Sequence, residues 1–409
     1  MERVSSCRFA LALCVGLLGC LPAVARAETL GVPVPFATIQ SAVDAAFDGD
    51  LVLVEPGTYV GSVDFLGKAI TVMSSSGAEH TILQGTHEGT VVLFTSGEGR
   101  EAVLDGFTVR GGHGTIIESG RCLGGGIFCR GSSPTIRNNT ITENFANCLR
   151  EHLPSSGGGI AALDGEPLIE GNRIEANEAD LGAGIYVEGG VISSNWILQN
   201  SGMGIYLAGT VSVLDNVIEN NADSGVRGTL GGGEIRRNTV AGNRSTETAA
   251  PGLHVLGTFG SEITDNRIYG NHSVDRTALG GGAYLSGIRL FARNVVEYNT
   301  AGRGAGIVVR AGLSRIVGNV IRHNVAEGEG GGIYSIASEA GFVHNMVVHN
   351  IAGTRGGGMY DASVSGSHIC NTFAGNTAGS EGGGLYIQRM GGVHDLLPTE
   401  VPDPSYDRS

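Results

Sequence analysis

The chain has little of what most globular proteins use to build helices and carry charge. Lysine occurs once, at Lys68, tryptophan once, at Trp196, and charged residues fill only 16% of 409 positions. Proline is scarce, at 11 residues, and no glycine period of three runs through the chain, which excludes a collagen-like rod. No stretch after the N-terminus approaches the ~20 apolar residues of a spanning helix, and none shows a convincing apolar period of 3.6 between Gly124 and Ile387. Positive charge is also in deficit. The 26 Lys and Arg against 40 Asp and Glu give a net charge of -14, which disfavours nucleic acid and anionic membrane surfaces as partners, and no nucleic acid is expected. An acidic polysaccharide is disfavoured too, unless basic groups are gathered locally.

Glycine is plentiful instead, at 69 residues. The first 27 residues read as a targeting segment: Arg3 and Arg8, an apolar run from Phe9 to Val24, and a small-x-small site at Ala25-Arg26-Ala27 that predicts a mature start at Glu28. A competing reading takes Leu17-Leu18-Gly19-Cys20 as a lipoprotein box with lipid on Cys20. Either way the chain is expected outside the cytoplasm, secreted, periplasmic or on the cell surface.

Asparagine recurs in pairs five residues apart. The first members are Asn139, Asn172, Asn195, Asn216, Asn238, Asn266, Asn294, Asn319, Asn345 and Asn371, spaced 21 to 33 residues. A glycine stands 11 to 14 residues before each, from Gly126 to Gly358, and is nearly always followed by an apolar residue such as Ile127, Ile185 or Ile333. Two more apolar columns flank the first Asn, one three residues before it (Ile136, Ile169, Ile192) and one two residues after it (Ile141, Ile174, Ile197). Three such columns on short β-branched stretches predict three short strands per coil around one interior. The expected fold is all-β, a right-handed parallel β-helix of about a dozen coils. The Asn is expected at a turn, tolerating left-handed backbone and bonding to its equivalents above and below. Thr38–Ala46 reads as a short helix capping the N-terminal end. The expected organisation is signal peptide 1–27, cap and first coil 28–70, repeats 71–390, and a partial cap with disordered tail 391–409, Val393–Leu397 being the one lid candidate.

The opening Thr38-Ile39-Gln40-Ser41-Ala42-Val43, with Glu55-Pro56-Gly57-Thr58-Tyr59 and Leu104-Asp105-Gly106-Phe107, resembles the pectin-lyase-like superfamily of right-handed β-helices. The Gly-Gly-Gly-Ile-Tyr units are also similar to repeats of polymorphic outer-membrane proteins. The resemblance implies the fold but not the function, since that superfamily spans lyases, hydrolases, epimerases and adhesins. It also implies that the Gly-Ile-Tyr segment is the first strand, whose outer face floors the carbohydrate groove in the enzymes.

Residues two past each glycine should then face outward. They include Tyr186, Tyr206, Tyr284, Tyr334, Tyr360 and Tyr386, with Arg227 and His254 in mid-stripe. Tyrosine faces can stack on sugar rings, and Arg227 and His254 are the candidates for binding a uronate or moving a proton. Longer loops after Asn144, Asn243 and Asn271 place the highest expected walls near that pair. The paired carboxylates of a glycosidase are missing, Glu188 being the only outward one on this strand. Gly112-His113-Gly114 matches a glycosidase tripeptide without its partner acids and reads as a turn. His323 and His349 occupy equivalent turn positions with Tyr298 one coil earlier, too few ligands for a metal site. No metal or cofactor is expected, and the oligomeric state is left open.

The reading is therefore a secreted or surface β-helix that binds carbohydrate along a Tyr-lined face. The alternatives are a polysaccharide lyase or related uronate-active enzyme, and a purely structural or adhesive protein. Cys129 should face inward, and Cys370 lies too many coils away to pair. Cys122 and Cys148, in loops on the same side of neighbouring coils, are expected to form a disulfide in an oxidising compartment. Non-reducing peptide mapping should recover a Cys122–Cys148 cross-linked peptide; two free thiols would contradict the assignment.

Overall fold

The computed structural model describes residues 27–388 apart from 149–152, 259 and 364. The expected signal peptide up to Arg26, the lipoprotein cysteine Cys20, the lid candidate Val393–Leu397 and the tail all lie outside these residues.

The three apolar columns become three stacks of parallel strands around one elongated core. Ile127, Ile160, Ile185, Ile205 and Val226 sit in register on successive first strands. Ile136, Ile169 and Ile192 do so on second strands, and Ile141, Ile174 and Ile197 on third strands. All of these side chains are buried in the main core. In two coils the first and second strands run on without a break, as Ile185–Ser193 and Ile205–Leu214, so both stacks merge into one 25-stranded sheet. The third strands make a separate sheet of 13. Three strands per coil is an undercount for part of the helix. Six coils add a two-residue strand just past the second Asn, from Arg244–Ser245 to Thr377–Ala378.

The corners explain the paired asparagines. Each Asn side chain turns inward and bonds along the helix axis. Asn238 Nδ2 donates to the Val213 carbonyl (2.8 Å) and to Asn266 Oδ1 (3.0 Å). Its own Oδ1 accepts the backbone N–H (2.9 Å) and amide (3.0 Å) of Asn216. The same pattern runs from Asn139 through Asn172 and Asn195 to Asn294, Asn319, Asn345 and Asn371. A second ladder runs through the other members of the pairs, such as Asn221, Asn243 and Asn271. The left-handed residue, however, is not the Asn but the one before it: Ser194 (φ 57°), Asp215 (57°), Gln199 (53°) or Tyr298 (57°). That residue makes the sharp bend, and the Asn that follows is free to use its amide as the bracket closing the turn.

The glycine column is the other side of the same corner. A Cβ on Gly204 would lie 2.7 Å from the Gly225 carbonyl of the next coil and 2.9 Å from Asn221 Nδ2. Glycine is needed here because the inward amide and a neighbouring backbone already fill the space.

At the N-terminal end a helix, Ile39–Ala45, starts at Thr38, which forms a capping box with Ser41. Its Ile39, Ala42 and Val43 close onto the core. The only lysine finishes it: Lys68 Nζ donates to the carbonyls of Val43 (2.7 Å), Asp44 (2.9 Å) and Ala46 (2.8 Å), the C-terminal groups a helix leaves unpaired. At the other end His368 replaces the apolar residue of its column. It stacks on Phe342 at 5.2 Å and bonds to the buried Asp361 at 2.8 Å. Burial would raise the Asp361 carboxyl, but hydrogen bonds from His368 and Ser363 outweigh it and hold the group below the usual carboxylate range.

Asn238→Ala leaves the Asn216 backbone N–H and the Val213 carbonyl unpaired in the interior, at about 1–3 kcal/mol each. Its urea midpoint should fall clearly, while Ser201→Ala at an exposed turn stays within about 0.5 kcal/mol of wild type. Equal midpoints would show that the ladder contributes nothing.

Candidate functional site

The tyrosine stripe lies outside the main core, but it is not open to solvent. The loops entering the first strands fold back over it and build two further apolar clusters. One gathers Phe128, Ala161 and Tyr186 under Leu123, with Ile117 and Leu181 against it. The other gathers Tyr284, Val308, Tyr334 and Tyr360 with Ala250. Tyr186, Tyr284, Tyr334 and Tyr360 retain only 5–8% of their exposure, and Tyr206 and Tyr386 are half-buried.

Their ring faces are largely taken. Tyr186 stacks on Tyr206 at 5.5 Å and carries the Arg121 guanidinium at 5.1 Å. Tyr360 lies between Tyr334 (5.2 Å) and Tyr386 (5.4 Å), and Arg355 lies over the Tyr386 ring at 5.2 Å. Rings spaced this way hold the sheet together by cross-strand contact and leave little face for a sugar. The expectation of an open stripe is corrected on this point.

Arg227 and His254 are neighbours in register, yet each is already engaged. Arg227 Nη1 pairs with Glu247 at 3.0 Å and Asp223 at 3.6 Å, so its charge is offset before a uronate arrives. His254 stacks on Tyr284 at 4.5 Å, and its Nδ1 accepts the Ala250 N–H at 3.2 Å. Burial, and then the Arg227 charge, push its imidazole down to about 4. A neutral ring that accepts at Nδ1 carries its proton on Nε2, so it offers a hydrogen-bond donor there and no base.

A recess lies elsewhere on the same face. A cavity of about 520 Å³ opens over Phe128, between Thr115, Glu118, Arg130 and Asp164. Arg130 pairs with Glu118 at 2.9 Å. Glu118 is held below the usual carboxylate range by its own backbone N–H and then by Arg130, the opposite of what a general acid requires. Asp164 enters from the turn after the neighbouring first strand, at φ 54°. Its N–H points to Glu188, which also accepts the Tyr186 hydroxyl. Glu118 sits in a loop with no repeat period; Asp164 shares a recurring left-handed turn position with Gly131, Ala311 and Ala337, but no acid recurs there to mark it.

The disulfide joins Cys122 to Cys148, with Cα atoms 5.7 Å apart, and staples the loops beside this recess. Cys129 is buried in the main core, where burial pushes its thiol up, and Cys370 is exposed and unpaired. His113 bonds to His87 at 3.0 Å and packs on Phe145. His323 stacks between Tyr298 (5.0 Å) and His349 (5.3 Å) on the opposite side of the coil. Among the described residues no three His, Cys, Asp or Glu side chains converge as a metal site would require, and no helix is long and apolar enough to cross a membrane.

Residues 82–245 match the family model for a right handed beta helix region. The chain folds as a right-handed parallel β-helix. Among curated proteins none matches it in sequence. Solved structures similar to it include the A-module of mannuronan C-5 epimerase AlgE6 from Azotobacter vinelandii, at 14% identity over 86% of this chain and 94% of that one, TM-score 0.49. The surface protein and adhesin PfbA of Streptococcus pneumoniae is similar at 14% identity over 85% and 95%, TM-score 0.45. Alginate lyase from Paenibacillus sp. is similar at 13% identity over 86% and 99%, TM-score 0.30. At these identities the likeness is one of fold alone.

Between pH 7 and 5 the His254 imidazole should stay neutral, because its folded value lies near 4 against 6.5 unperturbed. The unfolded chain takes up that proton first, so stability should fall as pH drops from 6.5 toward 4. A His254→Phe variant should lose that slope. An NMR titration placing the His254 midpoint near 6.5 would contradict the buried, neutral assignment.

Proposed function

We propose that the protein is an exported, non-catalytic β-helix that binds carbohydrate on the outer face of its first sheet, seated in the recess over Phe128. The observation that carries this reading is the recess itself. Its volume, about 520 Å³, falls in the range of small-molecule sites. A guanidinium, two carboxylates and threonine hydroxyls converge there, a set of donors and acceptors that suits a polyhydroxylated ligand. The Cys122–Cys148 disulfide supports an oxidising, extracytoplasmic location.

Catalysis is disfavoured by the same chemistry. An ionised Glu118 paired with Arg130 cannot donate a proton to a leaving group. A neutral His254 with Nδ1 occupied and an Arg227 held by two carboxylates make a poor lyase pair. A lyase needs a base near the uronate α-proton and a cation free to neutralise the carboxylate.

A polysaccharide panel on the mature protein tests this, reading binding and unsaturated-product absorbance together. Binding without product is expected, weakened about tenfold, or about 1.4 kcal/mol, by Arg130→Ala or Asp164→Ala. Product lost in Arg227→Ala would move the protein to the lyases. Silence across the panel would leave a structural or adhesive role.

A further inference from the structure

The outer face of the third sheet carries a second irregularity, in the turn after the third strand. There the column of left-handed residues reads Asn220, Gly242, Gly270, Tyr298, His323 and His349. The last three rings stack at 5.0 and 5.3 Å. Tyr298 ends that stack, is 56% exposed, and looks toward a coil whose equivalent residue has no side chain. A Cβ on Gly270 would meet nothing closer than the Gly242 backbone nitrogen at 3.9 Å. Gly270 therefore leaves a notch beside Tyr298, about 5 Å long at the strand spacing; at Gly242 the Asn220 amide takes the equivalent space, 2.5 Å from where a Cβ would sit, and closes the far end.

One wall of the notch is basic. Glu297, the residue before Tyr298, is only 1% exposed and is gripped from both sides. Arg267 reaches it at 2.9 Å and Arg322 at 2.6 Å. The Arg267 guanidinium also lies 4.3 Å from the centre of the Tyr269 ring, next to Gly270. Two guanidiniums share one buried carboxylate, which leaves a positive surplus, and both remain about half-exposed with N–H groups to spare. On a chain of net charge -14 this is a local inversion of sign. It is set beside an open aromatic face.

We propose that this notch binds a uronate residue of an acidic polysaccharide, its ring face on Tyr298 and its carboxylate on the Arg267–Arg322 pair. Carboxylate recognition by a guanidinium fork supplies the specificity, and the stacked histidines hold the tyrosine ring in place. The inference rests on the carbohydrate-binding reading and names the class of sugar. It assigns that sugar to a face separate from the recess over Phe128.

The test is isothermal titration of the full mature chain at low ionic strength with oligogalacturonate and with its methyl-esterified, uncharged form. Wild type should prefer the acid form at least tenfold, with affinity falling as salt rises. Gly270→Asn should abolish that preference by filling the notch. Asn suits the left-handed geometry, as Asn220 does two coils earlier (φ 56°). Tyr298→Asn should weaken the acid form at least fivefold, with an unchanged melting curve excluding misfolding. Arg130→Ala assigns any signal arising in the Phe128 recess. Full acid-form binding in both notch variants, or equal affinity for the two forms, overturns the uronate site. If neutral glycans bind and the acid form does not, the uronate site falls and the carbohydrate reading stands. If no glycan binds, both fall.

Discussion

Everything in this protein depends on how its chain turns a corner without leaving an unpaired polar group inside. A coil of 21 to 33 residues must bend sharply several times around a buried apolar core. The solution is an asparagine at two corners, turned inward, with donors and acceptor spent on the coils either side. Each amide closes its own turn and also fixes the axial rise, because its partner is the same amide one coil on. Opposite it, glycine gives up its side chain so that the amide fits. The repeat is thus a packing requirement first, and the similarity of successive coils follows from it.

Once the corners are fixed, the outward positions are free to differ. This is visible in the charged rungs: Asp215 pairs with Arg237 and Asp265 with Arg293 at the residue that bends before the Asn. It is visible in the tyrosines too, which stack on one another under the entry loops. The proposed binding sites lie where the pattern is interrupted: the non-repeating loop with Glu118 and the bare position at Gly270.

The strand columns, both anchors and their meaning were legible because each recurs in register, and a period is a signal that survives variable loop length. The capping helix was legible from Thr38 and the residues after it. Burial of the tyrosine face was not. Sequence told which way Tyr284 points relative to the strand, but not that Ala250 and the loop before it return to cover it. The identity of the left-handed residue was misread for a related reason: Asn tolerates that conformation, so the tolerance was assigned to it. The structure instead spends the Asn side chain on the ladder and bends the residue before it. The recess over Phe128 was invisible because Glu118 comes from a loop with no period, and because Arg130 and Asp164, at the end of a first strand and in the turn after one, do not recur as residue types from coil to coil. The stack of Tyr298, His323 and His349 could be read from spacing, but the bare notch beside it comes from a missing side chain at Gly270, in a chain where glycine is everywhere.

The most direct test of the corner account is amide hydrogen exchange on the native protein, comparing Asn195, Asn216 and Asn238 with the strand centre Ile197 and the exposed loop residues Thr246–Thr248. If the ladder is the constraint that organises the coil, the corner amides will exchange as slowly as the strand centre and open only with it. Corner amides exchanging at the rate of the exposed loop would contradict the account, and would leave the apolar columns alone to hold the helix.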